Sequence, residues 1–312
     1  LGRTRARPQI FAVRAVTSSS SRRAFLKFGL CSASSLLIAQ SFPQISSAAP
    51  REAMSLLRRM RFNLQFHNPA ARTLENQIFR SYLPLNSATQ KLVDVKVSMP
   101  WLLRDDALGH QILELSFERA HGFFKQVVSL ETTIELTVPS ARLTLPNPSI
   151  WLTSERFVES DHPDIMALAQ TLQRESKKAT LEAIYDWVIG HMEHTGYFAE
   201  DFGALYALHN RRGDCTEYAN LVVALARASH IPARTIGGYV TEHDVASKPK
   251  DYHDWSEIFL DDNWRVIDAQ KQRFFPDNRS YIGFRIHREK PDNSIGSNHR
   301  YLMLGELQVT FR

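Results

Sequence analysis

This 312-residue chain predicts an α+β fold, with helices gathered ahead of an antiparallel sheet and a small antiparallel β-sandwich before them both. Three observations carry that prediction. Segments from about Lys91 alternate apolar and polar residues at period two. After Asp161 the apolar residues recur at helical spacing. From Arg234 strand patterns return and run to the end of the sequence.

Residues 1–49 are read as a twin-arginine signal peptide rather than as part of the fold. Ser21-Arg22-Arg23-Ala24-Phe25-Leu26-Lys27 precedes a modest apolar run from Phe28 to Ala39, and the small residues Ser46 to Ala49 suit a signal peptidase. That run is too short and too serine-rich to span a bilayer comfortably. Cys31 lies inside it, and Phe28-Gly29-Leu30 is a poor lipoprotein box. The chain after residue 49 is therefore expected to be periplasmic or secreted, with no stable membrane span.

The leader also accounts for the basic pI. Without it, 31 Lys and Arg stand against 33 Asp and Glu, so the body has no basic footprint for nucleic acid. One cysteine, Cys215, then remains, which rules out an intramolecular disulfide.

In chain order, residues 50–74 form an N-terminal segment in which Met54, Leu57, Met60 and Leu64, with arginines between, are compatible with a short basic amphipathic helix. Residues 75–148 form the β-sandwich-like domain. Val93, Val95, Val97 and Met99 mark one strand; Leu113, Leu115 and Phe117 a second; Ile134, Leu136 and Val138 a third. Gly109 and Gly122 supply turns, and Leu145-Pro146-Asn147-Pro148-Ser149 is the linker. Residues 149–312 are expected to form a second domain, helices first and strands after. Pro163 opens a helix, Thr180 caps a second, and a short third covers Ala204 to Leu208. A fourth opens at Cys215 and stops before Ile231-Pro232. Strands follow at Arg234–Val240, Trp255–Leu260 and Trp264–Asp268, with weaker ones near Ile282–Ile286 and Leu307–Phe311.

The chemistry gathers at Cys215, His253 and Asp268. Asp214 can act as N-cap and Glu217 can close a capping box, making Cys215 the first helical residue. There the helix N-terminus favours thiolate over thiol, and the Cys215 N–H, unused by the helix, can face a bound carbonyl oxygen. A lone buried cysteine or a lone histidine is more often structural. A thiol, an imidazole and a carboxylate together are the parts for nucleophilic attack on a carbonyl. With Asp261-Asp262 as a two-residue turn, Leu260 pairs with Asn263 and Trp255 with Asp268, so His253 and Asp268 become diagonal neighbours on one face. With Asp262-Asn263 as the turn, four residues would separate them.

The runs RRGDCTEYANLVVALARASHIPARTIGGY and YHDWSEIFLDDNWRVIDAQ resemble the core of the transglutaminase-like superfamily. The cysteine motif, the Ile-Pro-Ala-Arg segment before a glycine strand, the His-x-Trp-x-Glu strand and the Trp-x-x-x-Asp strand occur in order, over roughly residues 165–270. The resemblance implies a papain-like α+β core with Cys215 as nucleophile, His253 as base and Asp268 orienting it. It also implies an acyl-enzyme formed from a peptide or glutamine amide, with a protein or peptide substrate and no metal or organic cofactor. Hydrolysis is expected ahead of cross-linking. The rival is an exported binding or scaffold domain that keeps the fold without catalysis.

Asp254 departs from the pattern, since small residues are common at that place, and strand alternation should turn it away from the His253 face. Tyr197 and Trp187 are candidates for a second oxyanion donor, though core positions suit both. Trp255 and Trp264 could floor the cleft, with core packing the equal alternative. His191 and His194, at helical i, i+3 spacing, lack an evident third metal ligand, and His243-Asp244 is expected to be solvated loop.

Overall fold

The computed structural model describes residues 55–138, 142–198, 200–296 and 300–312. The twin-arginine segment and Cys31 lie outside the described residues. Residues 51–312 form one compact unit. Its strands and helices are β1 (Leu56–His67), β2 (Leu74–Leu83), β3 (Gln90–Val97), β4 (Leu102–Asp105), β5 (Gln111–Ala120), β6 (Lys125–Leu136), α1 (Pro163–Leu172), α2 (Lys177–His191), α3 (Ala204–Asn210), α4 (Cys215–Ala228), β7 (Ala233–Val240), β8 (Tyr252–Leu260), β9 (Asn263–Asp268), β10 (Tyr281–Ile286), β11 (Tyr301–Leu304) and β12 (Gln308–Phe311).

The β-sandwich pairs two sheets face to face. One runs β1, β6, β3, with β12 and the short Val245–Ala246 piece along β1; the other runs β11, β2, β5, β4. Phe66 of β1 packs on Phe79 and Phe117 of the facing sheet, with ring centroids 5.1 and 4.6 Å apart. Here the structure corrects the expected basic helix before residue 67. Met60, Phe62, Leu64 and Phe66 are buried at period two, while Arg61, Asn63, Gln65 and His67 alternate with them, so the segment is a strand. In β3 a register shift between Leu92 and Asp94 leaves Val93 exposed, against the simple alternation.

The second half is helices on an antiparallel sheet, the α+β arrangement expected. The sheet runs β9, β8, β7, β10, with Arg273–Phe274 beyond β9. One face carries Ala233, Ile258, Leu260 and Ile267 against α1, α2 and α4. The other holds Ile236, Trp255, Trp264, Val266 and Tyr281, covered by Leu85 and Trp151. The N-cap of α2 is Ser176, whose hydroxyl accepts from Ala179 N, and not Thr180. Thr180 sits inside the first turn, where its Oγ1 accepts from Arg174 N.

Buried polar contacts tie the two halves together. Gln90 donates to the Leu85 and Gly283 carbonyls and accepts from Gly283 N. His110, fully buried, accepts from Ile286 N at Nε2 (2.8 Å), which leaves Nδ1–H to donate to Asp106 (2.6 Å). Among the described residues no helix is long and apolar enough to cross a membrane.

Candidate active site

Helix α4 begins at Cys215 because its first turn is capped twice. The Asp214 carboxylate accepts from Thr216 N, and Glu217 reaches back to Asp214 N. Both carboxylates also hold the preceding segment, Asp214 accepting from Phe198 N and Glu217 from Phe202 N. Close packing fixes Gly213, since a Cβ there would run into the Glu217 side chain. The thiol is consequently held partly exposed in a cleft of about 770 Å³, beside Asp214, Thr216 and Asp254, with Tyr197, Phe198 and Met303 among its other walls.

The β8–β9 hairpin turns at Asp261-Asp262, both with positive φ (51° and 58°), and Leu260 pairs with Asn263. The ladder ends at Ser256↔Ile267, one pair before Trp255 and Asp268. That register places His253 and Asp268 on one face, and His253 Nε2 stands 2.9 Å from Asp268 Oδ2. Tyr281 donates its hydroxyl to the same oxygen at 3.0 Å, and Lys271 N donates to Oδ1 at 3.1 Å. With Nε2 engaged, Nδ1 is the ring nitrogen available to a thiol.

His253 shares its face with Trp255, against which its ring is stacked, centroids 6.4 Å apart. Asp254 and Ser256 face α4: Thr216 Oγ1 donates to Asp254 Oδ2 at 2.7 Å, and Ser256 donates to Ala219 O. Alternation does separate Asp254 from His253, and the side it assigns to Asp254 is the one that bears the cysteine. No hydrogen bond joins Cys215 Sγ to His253 among the described residues. The structure thus brings His253 to Asp268 and Cys215 to Asp254 on neighbouring stretches of β8.

The electrostatics at the sulfur run against the thiolate expected from a helix start alone. Burial pushes the Cys215 thiol up, and the carboxylates of Asp254 and Asp214 push it further. The Asp254 backbone N–H and the Thr216 hydroxyl act in the opposite sense and are outweighed. Glu217, buried beside Asp214, is pushed up to about 7, first by burial.

Of the other expected positions, Tyr197 is 80% exposed on the cleft wall rather than in a core. Trp187 packs on the helical core, with His191 stacked on it and Arg211 over its face. Trp255 and Trp264 are buried on the face away from α4. His191 gives Nδ1 to the Trp187 carbonyl, and Asp244 pairs with Arg59 at 2.9 Å, a contact that reading the pair as solvated loop does not anticipate. Sequence reasoning did not find Tyr281 or His287, whose Nε2 lies 3.3 Å from Asp254 Oδ1. Both come from chain beyond the quoted motifs, and only the tertiary fold brings them in.

With that geometry in hand, comparison with known proteins places the chain. Residues 166–269 match the transglutaminase-like superfamily, and this part of the chain is a transglutaminase-like superfamily domain. Among solved structures the chain is similar to a candidate cysteine protease from Cytophaga hutchinsonii, at 20% identity over 83% of this chain and 91% of that one, TM-score 0.57. It is also similar to the periplasmic domain of TgpA from Pseudomonas aeruginosa, at 19% identity over 71% of this chain and 91% of that one, TM-score 0.39. The search among curated proteins gave no match. The first structural likeness shows a shared fold.

Proposed function

We propose that the protein is a cysteine hydrolase or acyltransferase acting on peptide or glutamine amides, with hydrolysis the main outcome. The observation that carries this reading is the His253–Asp268 pair at 2.9 Å, on the strand that runs beside a capped, partly exposed cysteine. Cys215 Sγ attacks the amide carbonyl while His253 takes the thiol proton at Nδ1. The oxyanion is met by the Cys215 N–H, a first-turn donor the helix does not use. His253 then passes its proton to the departing amine, leaving an acyl-enzyme. Water attacks to release acid, or an amine attacks to form a new amide. Asp268 holds the imidazole orientation and steadies its cationic form. Sulfur and Nδ1 must come within hydrogen-bond reach for the first transfer, and such contacts commonly tighten only once substrate is bound.

Glutamine peptides offered with and without a primary amine test this. Ammonia release, amine incorporation and chain cleavage should each be scored for the wild type and Cys215→Ala. Wild-type turnover that survives in the variant would remove Cys215 from the mechanism. A non-catalytic scaffold is the second reading, and the unjoined Cys215 and His253 favour it. An epoxide carrying an amide would then label Cys215 no faster than a free cysteine.

We further propose that residues 1–49 direct export to the periplasm through the twin-arginine route. Replacing Arg22 and Arg23 together by Lys should leave the precursor uncleaved and cytoplasmic.

A further inference from the structure

Asp254 is the residue whose surroundings the mechanism above does not use. It is buried, 2% exposed, and faces the start of α4 from near the start of β8. Thr216, the residue after the cysteine, donates to its Oδ2 at 2.7 Å, and His287 Nε2 lies 3.3 Å from its Oδ1. Gly237 of the neighbouring strand leaves room for this arrangement. A Cβ there would stand 2.7 Å from Asp254 Oδ1 and 3.0 Å from His287 Nε2, and would collide with the Tyr252 hydroxyl. Thr216 therefore holds one oxygen and His287 faces the other, over a glycine, on a wall of the cleft that the thiol also lines. The Asp254 backbone N–H and side chain act on Cys215 in opposite directions.

We propose that Asp254 is a positioning residue that keeps the resting Cys215 a neutral thiol, so that thiolate forms only when His253 removes the proton in the presence of substrate. A negative charge fixed beside sulfur, in a setting drier than water, opposes a second negative charge there. A neutral thiol is also a poor target for peroxide and for disulfide exchange, which act on thiolate. The arrangement trades standing nucleophilicity for a thiol that survives unpaired.

Other groups face the same region. Asp214 and Glu217 approach from α4, and Asp201 lines the cleft and carries a raised carboxyl of its own, first through burial. Tyr252 and His253 flank Asp254 on β8, and Asp268 lies on β9. Arg285 and His287 come from the end of β10 and Arg300 from just before β11, where its guanidinium lies over the Tyr252 ring. Asp214 also binds Thr216 and lines the cleft, but as the cap of α4 itself; Asp254 comes from the facing strand and accepts from the Thr216 hydroxyl.

The inference rests on Cys215 being the nucleophile, but its test reads the thiol directly and needs no turnover. The rate of Cys215 alkylation by iodoacetamide would be followed against pH in the full chain, for wild type, Asp254→Asn, Asp254→Glu and Asp254→Ala. Asn keeps the size and an acceptor for Thr216 while removing the charge. The expected result is a profile moved at least one pH unit lower in Asp254→Asn, with alkylation near neutral pH about tenfold faster. Inactivation by hydrogen peroxide should accelerate in parallel, and Asp254→Glu should return the profile toward wild type. Asp254→Ala, which removes the carboxylate altogether, should move the same way and decides the matter should Asn not fold. An unmoved or upward-moved profile in the folded variants overturns the inference. A moved profile with no amide turnover by the wild type would sustain it and count against the proposed function alone.

Discussion

Tyr281 and His253 converge on the same oxygen of Asp268, from 3.0 and 2.9 Å. The carboxylate is thereby fixed in rotation, and with Lys271 N on its other oxygen it has few ways to leave the imidazole. A buried phenol at this place acts on the base through the acid, without facing the cleft.

Removing the phenolic hydroxyl should therefore lower turnover without abolishing it. Tyr281→Phe deletes one hydrogen bond to a charged group, a difference of about 1.5–3 kcal/mol, or roughly ten- to a hundredfold in kcat if expressed wholly in the reacting state. Asp268→Asn should cost more, on the order of a thousandfold or beyond, because it loses the charge that steadies the imidazolium. Steady-state kinetics on one amide substrate, with thermal melts alongside, would separate the two. Equal losses in both variants would contradict the shared-oxygen argument.

Glu217 gives the fold a stability that depends on pH. Its carboxyl is pushed from 4.5 up to about 7 in the folded chain, first through burial and with the Asp214 charge adding to it. The folded state therefore holds a proton that the unfolded chain has released between those values. Its contribution is complete below about pH 4.5 and declines as pH rises through about 7. Urea unfolding across that interval should show the decline in the wild type and a flatter dependence in Glu217→Gln. Identical slopes would remove Glu217 from the account.

Glu114 should act at the other end of the scale. It lies on β5 between Arg80 of β2 and Arg104 of β4, at 2.6 and 2.8 Å, and these guanidiniums hold its carboxyl near about 2. A lowered acid contributes above its unfolded value, and that contribution is lost as pH falls from about 4.5 toward about 2. Glu114→Gln should cost about 1.5–3 kcal/mol at neutral pH and progressively less as acid is added. Chemical denaturation at pH 7 and pH 3 would give the two differences, and a constant penalty would refute the assignment.

His110 joins the sandwich to the second sheet through the Ile286 N–H and Asp106. His110→Leu should leave that buried N–H without its acceptor and destabilise the chain by about 1–3 kcal/mol. Cys215 alkylation should be unaffected. A change in thiol reactivity as large as that of Asp254→Asn would show the join reaching into the cleft.

The parts of the fold legible in the sequence were those with local punctuation. Asp214 and Glu217 announce the start of α4, and of the two turns the hairpin allows, the structure takes Asp261-Asp262, which sets His253 against Asp268. β1 was obscured because Leu57, Met60 and Leu64 fit a helical stripe as well as Met60, Phe62, Leu64 and Phe66 fit a strand. Burial against β6 and the facing sheet decides between them. Asp254 shows a different gap: alternation correctly parted it from His253, yet which face α4 covers is set by packing. The charge beside the thiol, and the unjoined Cys215 and His253, followed from that packing.

The last two strands give the molecule a seam. β11 lies along β2 and β12 along the end of β1, so Tyr301 to Phe311 lie beside strands formed from residues more than two hundred positions earlier. During synthesis, β1 and β2 must wait with part of their edges bare until the ribosome has passed Phe311. The helices and the β8–β9 hairpin pair with no strand after Ile286 and can assemble first. A chain cut near residue 300 would then carry its cysteine helix beside a sandwich short of two strands.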